Sequence, residues 1–374
     1  MRKSALFLLV CVVTLFAIGI LMVFDTTSAE VIDRNLNVST HHALFKQLLY
    51  GCVSLVGALL IWFFGYDKVL KLVPSLFYLL LFSLVLVFIH GIGQQINGAY
   101  RWIVVGPFSF QPSEFLKVIM PLYFITLLFK EEEMTWKRFY KIIALFSVPL
   151  FLVLIEPDNG AVAIIMVVMM ALFFISRIRS VYWLLPVLFM AGVGIIAALQ
   201  MPHVKKRIQV YLHPELDLLG KGHQPYQAKI AAGSGQLFGR GVGESLQKLN
   251  YLPEARSDYI AAIFAEEFGF VGILFLVLLY LLMTYSGFHI ASRAREKQGF
   301  YLAAILTFLV AFQAFLNLGV VSGLLPSKGT NLPFFSQGGS SLLANTLAIT
   351  LIMSVAKRVK HVQEQKTWKT IEQT

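Results

Sequence analysis

The stretch LPEARSDYIAAIFAEEFGFVGILFLVLLYLL, residues 252–282, joins a polar segment directly to a long apolar run. The apolar part is about 20 residues long, which is enough to cross the hydrocarbon core of a bilayer as a helix. The polar part brings two carboxylates and an arginine to this boundary, where an ordinary anchor is Trp, Tyr or Lys. Ionisable groups in such a place indicate either chemistry or transport.

Similar apolar runs recur along the chain, in which 57% of the residues are hydrophobic and 14% are charged. This composition predicts an all-α polytopic membrane protein that forms one integral membrane domain over residues 1–374. The first run is too long for the core of a signal peptide, so we expect a retained helix. Ten spans are predicted, at residues 5–24, 44–64, 72–90, 112–130, 140–156, 159–176, 180–199, 259–285, 300–323 and 340–357.

The distribution of lysine and arginine predicts the orientation. If the N-terminus is cytoplasmic, most of these residues lie in inner segments, and the short outer loops hold only Arg34, Lys46, Arg101 and Lys328. The positive-inside rule therefore places both termini in the cytoplasm, including a polar tail at about 358–374. The net charge of +11 is explained by topology and contact with anionic membrane lipids, without nucleic acid as a partner.

Residues 200–258 form one long outer loop, and a loop of this length in a compact bundle usually carries function. Its apolar residues predict short helices that lie on the outer face of the bundle. Within it, AAGSGQLFGRGVGES (231–245) lacks the ending of a phosphate-binding P-loop. Two interpretations stay open: a connector with tight turns, or a backbone that closely approaches a lipid headgroup.

Two further outer loops contain polar residues. Residues 91–111 carry a turn signal at Asn97 and Gly98, followed by Arg101. Residues 324–341 end in Gly and Ser before the last span, where Ser340 either caps the helix or leaves its N-terminal amides for an anion. The chain contains no Walker, kinase or Rossmann motif, so a reaction must be driven by its own substrate or by an ion gradient.

Asp258 is the leading candidate for chemistry. Ser257 is predicted to cap the eighth span, which would place Asp258 in the first helical turn, where the helix dipole lowers the basicity of a carboxylate. Burial beside the membrane acts in the opposite direction and favours a poised base.

Other carboxylates lie near the outer ends of the spans. Glu114 and Lys117 are three residues apart and can pair on one helix face, either as a structural pair or lining a polar cavity in which they and Arg101 hold a pyrophosphate. Glu156 and Asp158 mark an outer turn, for which a structural role is favoured.

Glu266 and Glu267 follow Asp258 along the eighth span. They lie about 12 Å deeper at the rise of a helix, too far to share one proton with Asp258. We expect them to be paired or hydrogen-bonded inside the protein, with a direct catalytic role less favoured.

Six separated motifs resemble the SEDS family of bacterial shape, elongation, division and sporulation proteins, and the resemblance covers nearly the whole chain. They are NGAYRWI (97–103), QPSEFLK (111–117), EPDNG (156–160), the glycine-rich stretch above, LPEARSD with AEEFG, and LPFFSQGGSS (332–341). The segments LPEA and LLPSKG are more similar to the division members than to the elongation members.

The resemblance implies a peptidoglycan glycosyltransferase that polymerises lipid II on the outer face of the cytoplasmic membrane. It also implies a class B penicillin-binding protein as transpeptidase partner, other divisome proteins, and a location at the division septum. Asp258 matches the essential aspartate of the family and would be the general base. Arg101, Glu114, Lys117 and Glu254 match other important positions, and Arg101, Lys117 or a divalent cation (Mg²⁺ or Mn²⁺) would stabilise the leaving pyrophosphate.

Some residues depart from the pattern of the division members, and two other functions stay open. The departures are Tyr100, Ala161, Arg256 and Gln337. A lipid II flippase would also need polar groups and lateral access from the bilayer. The candidate charges, however, cluster at the outer ends of spans, whereas a flippase needs a path through both leaflets. A scaffold without activity of its own, and an elongation polymerase, are the remaining alternatives.

Overall fold

The computed structural model describes residues 2–371 except 34–38, 90, 97–98, 107, 131–132, 189–191, 193–210, 219, 221, 250 and 328. Residues 180–188 are also helical, and a 3-10 helix covers Pro214–Asp217. The main helices are α1 (Arg2–Asp33), α2 (His42–Phe64), α3 (Tyr66–Val87), α4 (Pro112–Leu128), α5 (Trp136–Ile155), α6 (Asn159–Ile175), α7 (His223–Ser234), α8 (Ile260–Ser292), α9 (Lys297–Val321) and α10 (Gly339–Ile371).

The helices confirm a polytopic membrane protein. Among the described residues, 7 helices are long and apolar enough to cross a membrane: α1, α2, α3, α5, α8, α9 and the part of α10 up to Arg358. The predicted fourth and sixth spans are occupied by α4 and α6, of 17 residues each. The predicted seventh span is helical at 180–188 and otherwise lies outside the described residues, so the count of ten stays a prediction.

The packing of the helices places α9 and α10 inside the bundle and α2 at its edge. Most of α9 and of the membrane part of α10 is buried, whereas most of α2 is not and carries exposed apolar side chains such as Phe63. The main contacts join α1 to α8, α2 to α10, α8 to α9 and α3 to α4. The apolar outer surface is the one that lipid covers in a bilayer.

The outer loop at residues 91–111 forms a small sheet, where the sequence predicted only turns. Strands β1 (Gly93–Ile96), β2 (Ala99–Val105) and β3 (Phe108–Phe110) are antiparallel in the order β1-β2-β3. Aromatic and β-branched residues in AYRWIVV favour this structure over an irregular loop. The predicted turn at 97–98 lies outside the described residues.

Strand β3 is fixed to two helices through polar side chains. The Ser109 amide donates to Tyr50 Oη of α2 at 2.7 Å. The Gln111 amide donates to Ser340 Oγ at 2.9 Å, and Ser340 Oγ donates to the Ser109 carbonyl at 3.1 Å. Of the two alternatives left open for Ser340, capping of the last span is not observed, because this residue lies within the first turn of α10 and its hydroxyl binds the sheet.

The outer loop contains the predicted short helices, and its glycine-rich part inserts into a break in α8. Gly269 interrupts α8 with a φ of 66°. A Cβ atom on Gly239 would lie 2.0 Å from the Glu267 carbonyl oxygen, so only glycine allows this approach. The close backbone contact is thus made to α8, through four hydrogen bonds: Arg240 N–H to Glu266 O (2.9 Å), Gly241 N–H to Glu267 O (3.1 Å), Phe270 N–H to Gln236 O (2.9 Å) and Val271 N–H to Leu237 O (3.1 Å).

Candidate active site

Asp258 lies in a series of turns that precede α8. The helix begins at Ile260, and Tyr259 before it makes no side-chain capping bond. Ser257 Oγ instead donates to Glu254 Oε2 at 2.7 Å. The prediction of a Ser257 cap with Asp258 in the first turn was therefore wrong, because Glu254 engages the hydroxyl. Asp258 stands outside the helix, where the dipole of the first turn stabilises its carboxylate less.

The outer loop at residues 324–341 folds over the segment that contains Asp258. Ser336 Oγ donates to the Ser257 carbonyl at 2.6 Å, and the Gln337 amide donates to the Arg256 carbonyl at 3.0 Å. A Cβ atom on Gly329 would lie 2.9 Å from Asp258 Oδ2. The Asp258 carboxylate therefore packs directly against the main chain of Gly329, and a side chain at position 329 would collide with it.

A cavity of about 520 Å³ opens at the outer end of the bundle beside this contact. Its walls come from β2, the turn between α5 and α6, the outer-loop helix α7, and the loop after α9. The lining residues include Arg101, Asp158, Gln224, Lys229, Ser327 and Gly329. The lining thus combines cationic and hydrogen-bonding groups, a composition that suits a phosphate-bearing, hydroxyl-rich ligand.

Arg101 and Asp158 fix the wall formed by the α5–α6 turn. Arg101 Nε donates to the Glu156 carbonyl at 2.8 Å, and an Arg101 Nη donates to the Pro157 carbonyl at 2.7 Å. Asp158 Oδ1 accepts from the Ala161 amide at 3.1 Å and so caps α6. The structural role predicted for Asp158 is present in the fold, and Arg101 holds the turn through carbonyl groups while its side chain faces the cavity.

Glu156 differs from its neighbour. Its side chain is 1% exposed, and neither carboxylate oxygen has a hydrogen-bond partner among the described residues. Burial, aided by the charge of Asp158 and opposed by Arg101, raises the pKa of Glu156 to about 8. At neutral pH this buried group is therefore mainly a neutral carboxylic acid.

Asp258 is a poised carboxylate by the same physical argument. Burial is the largest cause that raises its pKa to about 7; the negative charges of Glu254, Glu114 and Asp158 also raise it, and Arg101 lowers it. A carboxylate of this pKa is a stronger base than an ordinary one and is still substantially ionised at neutral pH.

Glu114 and Lys117 form the predicted pair on α4. Lys117 Nζ donates to Glu114 Oε1 at 2.7 Å, with the side chain of Lys117 6% exposed. The ammonium also donates to Gln313 Oε1 of α9 at 3.3 Å. Lys117 therefore lies inside the bundle, and the negative charge of its partner Glu114 acts on Asp258.

Glu266 and Glu267 are bonded inside the protein, as the sequence predicted. The Glu266 carboxylate accepts from Ser245 Oγ at 2.5 Å and from the Leu246 amide at 3.2 Å. Lys248 Nζ lies 2.8 Å from Glu267 Oε1 and 2.7 Å from Asp25 Oδ1. These contacts connect the outer loop to α8 and α1, and they occupy the two glutamates structurally.

The donor set does not favour a metal cage built by protein alone. Among the residues that the structure describes, no three His, Cys, Asp or Glu side chains converge to hold a metal ion. A Mg²⁺ or Mn²⁺ ion that enters with phosphate needs only one or two carboxylates.

Sequence reasoning missed three parts of the site. Lys229 of α7 lines the cavity, and Gly329 packs against Asp258. Asn317 of α9 donates to the Asp258 carbonyl at 2.8 Å. The apolar pattern of the ninth span did not point to Asn317. The one available signal was that a polar residue inside a membrane helix is uncommon.

Comparison with other sequences assigns the chain to one family. Residues 5–361 match the FtsW/RodA/SpoVE family, described as cell cycle proteins. The probable peptidoglycan glycosyltransferase FtsW of Trichlorobacter lovleyi is 34% identical over 368 residues, covering 95% of this chain and 93% of the relative. The stage V sporulation protein E of Bacillus subtilis is 34% identical over 363 residues, covering 95% and 98% of the two chains.

Solved structures show the same architecture. A chain from a peptidoglycan synthase complex that coordinates polymerisation and crosslinking aligns with a TM-score of 0.76 at 25% identity, over 94% of this chain and 97% of that chain. The rod shape determining protein RodA of Thermus thermophilus aligns with a TM-score of 0.66 at 26% identity, over 94% and 95%. By sequence and by fold, the chain belongs to the FtsW/RodA/SpoVE family of polytopic membrane proteins.

Proposed function

We propose that Asp258 is the general base of this chain in the polymerisation of lipid II. As a member of its family the chain is a peptidoglycan glycosyltransferase, the activity named for its curated relatives. The observation that carries the assignment is the partly buried Asp258 carboxylate, which packs against the cavity wall at Gly329 and has its pKa raised to about 7.

The reaction joins two lipid-linked sugars. The C4 hydroxyl of the acceptor loses its proton to the Asp258 carboxylate while its oxygen forms a bond to the anomeric carbon of the donor. The bond between that carbon and the pyrophosphate oxygen breaks, and undecaprenyl pyrophosphate leaves with the electron pair. A positioned base contributes about 10²–10⁴-fold to the rate of such a step.

The cavity cations support departure of the pyrophosphate. Arg101 and Lys229 both line the cavity, and neither has a salt bridge to a carboxylate among the described residues. Fixed positive charge beside a developing phosphate charge stabilises the transition state. Lys117 is buried and held by Glu114 Oε1 at 2.7 Å, so it supports the site from inside the bundle.

The proposed setting is the outer face of the cytoplasmic membrane at the division septum. The distribution of positive charge supports cytoplasmic termini and an outer cavity, and both substrates carry polyprenyl tails that require access from the bilayer. Because a structural relative belongs to a complex of polymerisation and crosslinking, we propose a class B penicillin-binding protein and other divisome proteins as partners.

A gel assay with labelled lipid II, with the purified protein and its cognate class B partner, tests the proposal. We expect Asp258→Asn to lower polymerisation by about 10²–10⁴-fold, as expected for loss of a general base, with unchanged elution and thermal unfolding. Glu244→Gln, at an exposed outer-loop carboxylate, is the control and should polymerise normally. Full activity of a folded Asp258→Asn protein would remove the base assignment, and lipid II movement across vesicles without polymer would favour the flippase.

A further inference from the structure

Helix α9 presents two buried amide side chains to the site from the interior of the bundle. Gln313 and Asn317 are 3% and 1% exposed and lie one turn apart, on the same face of the helix. Burying an amide costs free energy unless its groups are hydrogen-bonded. The partners of these two side chains therefore show what the polar face of α9 organises.

Gln313 connects α9 to Lys117. Its Oε1 accepts from Lys117 Nζ at 3.3 Å, and its Nε2 donates to Asn345 Oδ1 of α10 at 3.1 Å. The orientation of the Gln313 amide is fixed by these contacts, because an oxygen must face the ammonium and an NH₂ must face the asparagine oxygen. Gln313 therefore belongs to the support of the Lys117 cation.

Asn317 connects α9 to both segments that meet at Asp258. Its Nδ2 donates to the Asp258 carbonyl at 2.8 Å and to the Thr330 carbonyl at 2.6 Å. One side-chain NH₂ group thus joins residues 258 and 330, which belong to different outer loops. Two carbonyl acceptors also determine the amide orientation, because only the NH₂ end can donate to them.

The joined segments are those that set the environment of the carboxylate. Thr330 follows Gly329, whose α carbon faces Asp258 Oδ2 so closely that a Cβ atom would lie 2.9 Å away. If the Thr330 segment moves away from Asp258, water reaches the carboxylate and the reacting geometry loosens. A misplacement of about 1 Å in such a site can cost about 10²-fold in rate.

We propose that Asn317 is a positioning residue that holds the Asp258 backbone against the Gly329–Thr330 segment, and so fixes the base relative to the cavity. This inference rests on the proposed role of Asp258. Asn317 acts through the main chain of Asp258 and is not itself a catalytic residue. Its Oδ1 has no hydrogen-bond partner among the described residues, which leaves its two donor contacts as the observed function of the side chain.

The test compares Asn317→Leu with the wild-type protein in complex with its partner. Leucine fills a similar volume but donates to neither carbonyl. We expect kcat to fall by about 10- to 100-fold, the scale of a misplaced catalytic group, with KM for lipid II within about twofold. We also expect faster hydrogen exchange of the amides of residues 257–259. Asn317→Ser, which keeps one short donor, should be intermediate.

The pH profile separates positioning from simple loss of packing. Water that reaches Asp258 lowers its raised pKa, so the acid limb of the rate profile should move to lower pH in Asn317→Leu. The charged groups that face Asp258, namely Glu254, Glu114, Asp158 and Arg101, are unchanged in this variant. Wild-type kcat and hydrogen exchange would overturn the inference, as would a loss of activity with an unmoved acid limb.

A matched control lies on the same helix. Thr307 is buried, and its hydroxyl donates within α9 to the Ala303 carbonyl at 2.7 Å. Thr307→Val therefore removes a buried hydroxyl outside the site and should leave kcat and the acid limb unchanged. The two proposals fail differently: an active Asp258→Asn protein removes the base, whereas normal exchange and turnover in Asn317→Leu remove only the positioning role.

Discussion

Four carboxyl groups fall into two pairs that differ in their partners: Glu266 and Glu267 within α8, and Asp258 and Glu156 in turns outside the helices. Glu266 accepts hydrogen bonds from a hydroxyl and backbone amides, and Glu267 is neutralised by Lys248. Neither Glu156 carboxylate oxygen has a hydrogen-bond partner among the described residues, and the Asp258 carboxylate packs against Gly329. The contacts of Glu266 and Glu267 hold the outer loop in place, whereas burial gives Asp258 and Glu156, which lie in turns, a raised pKa that suits proton transfer.

Removing the cation of the paired group should have the largest effect on stability. Lys248→Met leaves Asp25 and Glu267 without their shared ammonium, and breaking a buried ion pair costs about 3–5 kcal/mol. We expect a marked fall in thermal unfolding temperature and in monodisperse protein after extraction. If Lys248→Met unfolds like the wild type, the paired group does not stabilise the outer loop and the comparison fails.

Replacing Gly239 by alanine tests whether the close contact between the glycine-rich stretch and the break in α8 contributes to stability. Gly239→Ala places a Cβ atom 2.0 Å from the Glu267 carbonyl oxygen, at a φ of 83° that disfavours alanine. We expect a loss of about 1–3 kcal/mol, the usual cost of a strained residue, measured by reversible unfolding in mixed micelles. Gly233→Ala, where nothing lies within 4 Å of the new atom, is the control and should be neutral or slightly stabilising.

Glu156→Gln should change how stability depends on pH. The pKa of Glu156 is raised from 4.5 to about 8, so across this window the folded protein keeps a proton that the unfolded chain has lost. The free energy of unfolding contributed by this group therefore falls as the pH rises through the window. Glutamine stays neutral, so the variant should be more stable than the wild type above pH 8, and this advantage should shrink towards pH 5.

An unchanged stability difference between pH 5 and pH 9 would show that folding does not raise the pKa of Glu156. Thermal unfolding in buffers of equal ionic strength makes the measurement. A constant ionic strength is needed because salt screens the surface charges that also titrate over this range.

The smallest effect is expected for an exposed ion pair. Arg256 Nη1 lies 3.1 Å from Glu30 Oε2, with side-chain exposures of 45% and 25%. Exposed pairs contribute about 0–1 kcal/mol, so Arg256→Gln should shift unfolding only slightly. The same unfolding assay then compares an exposed pair with the buried Lys248 cluster, and equal losses from both would show that burial does not determine the difference.

The sequence predicted the membrane class, most spans and the Glu114–Lys117 pair, because these depend on local patterns of hydrophobicity and helical spacing. It did not predict the contact between Ser257 and Glu254, because the Ser257 hydroxyl can either cap the following helix or bind the carboxylate three residues before it. Asn317 was missed for a different reason. Its partner Asp258 is 59 positions away, and such a contact follows from helix packing, which no local pattern encodes.

The insertion of the glycine-rich stretch into α8 has a consequence for how this loop can vary. The four hydrogen bonds that hold it use main-chain atoms only, so they do not depend on which side chains the stretch carries. A saturation library over residues 236–242 should accordingly accept many substitutions at Leu237 and Phe238, which are 53% and 76% exposed. Intolerance should be strongest at glycines such as Gly239, so that the exposed positions can vary without loss of the main-chain contacts.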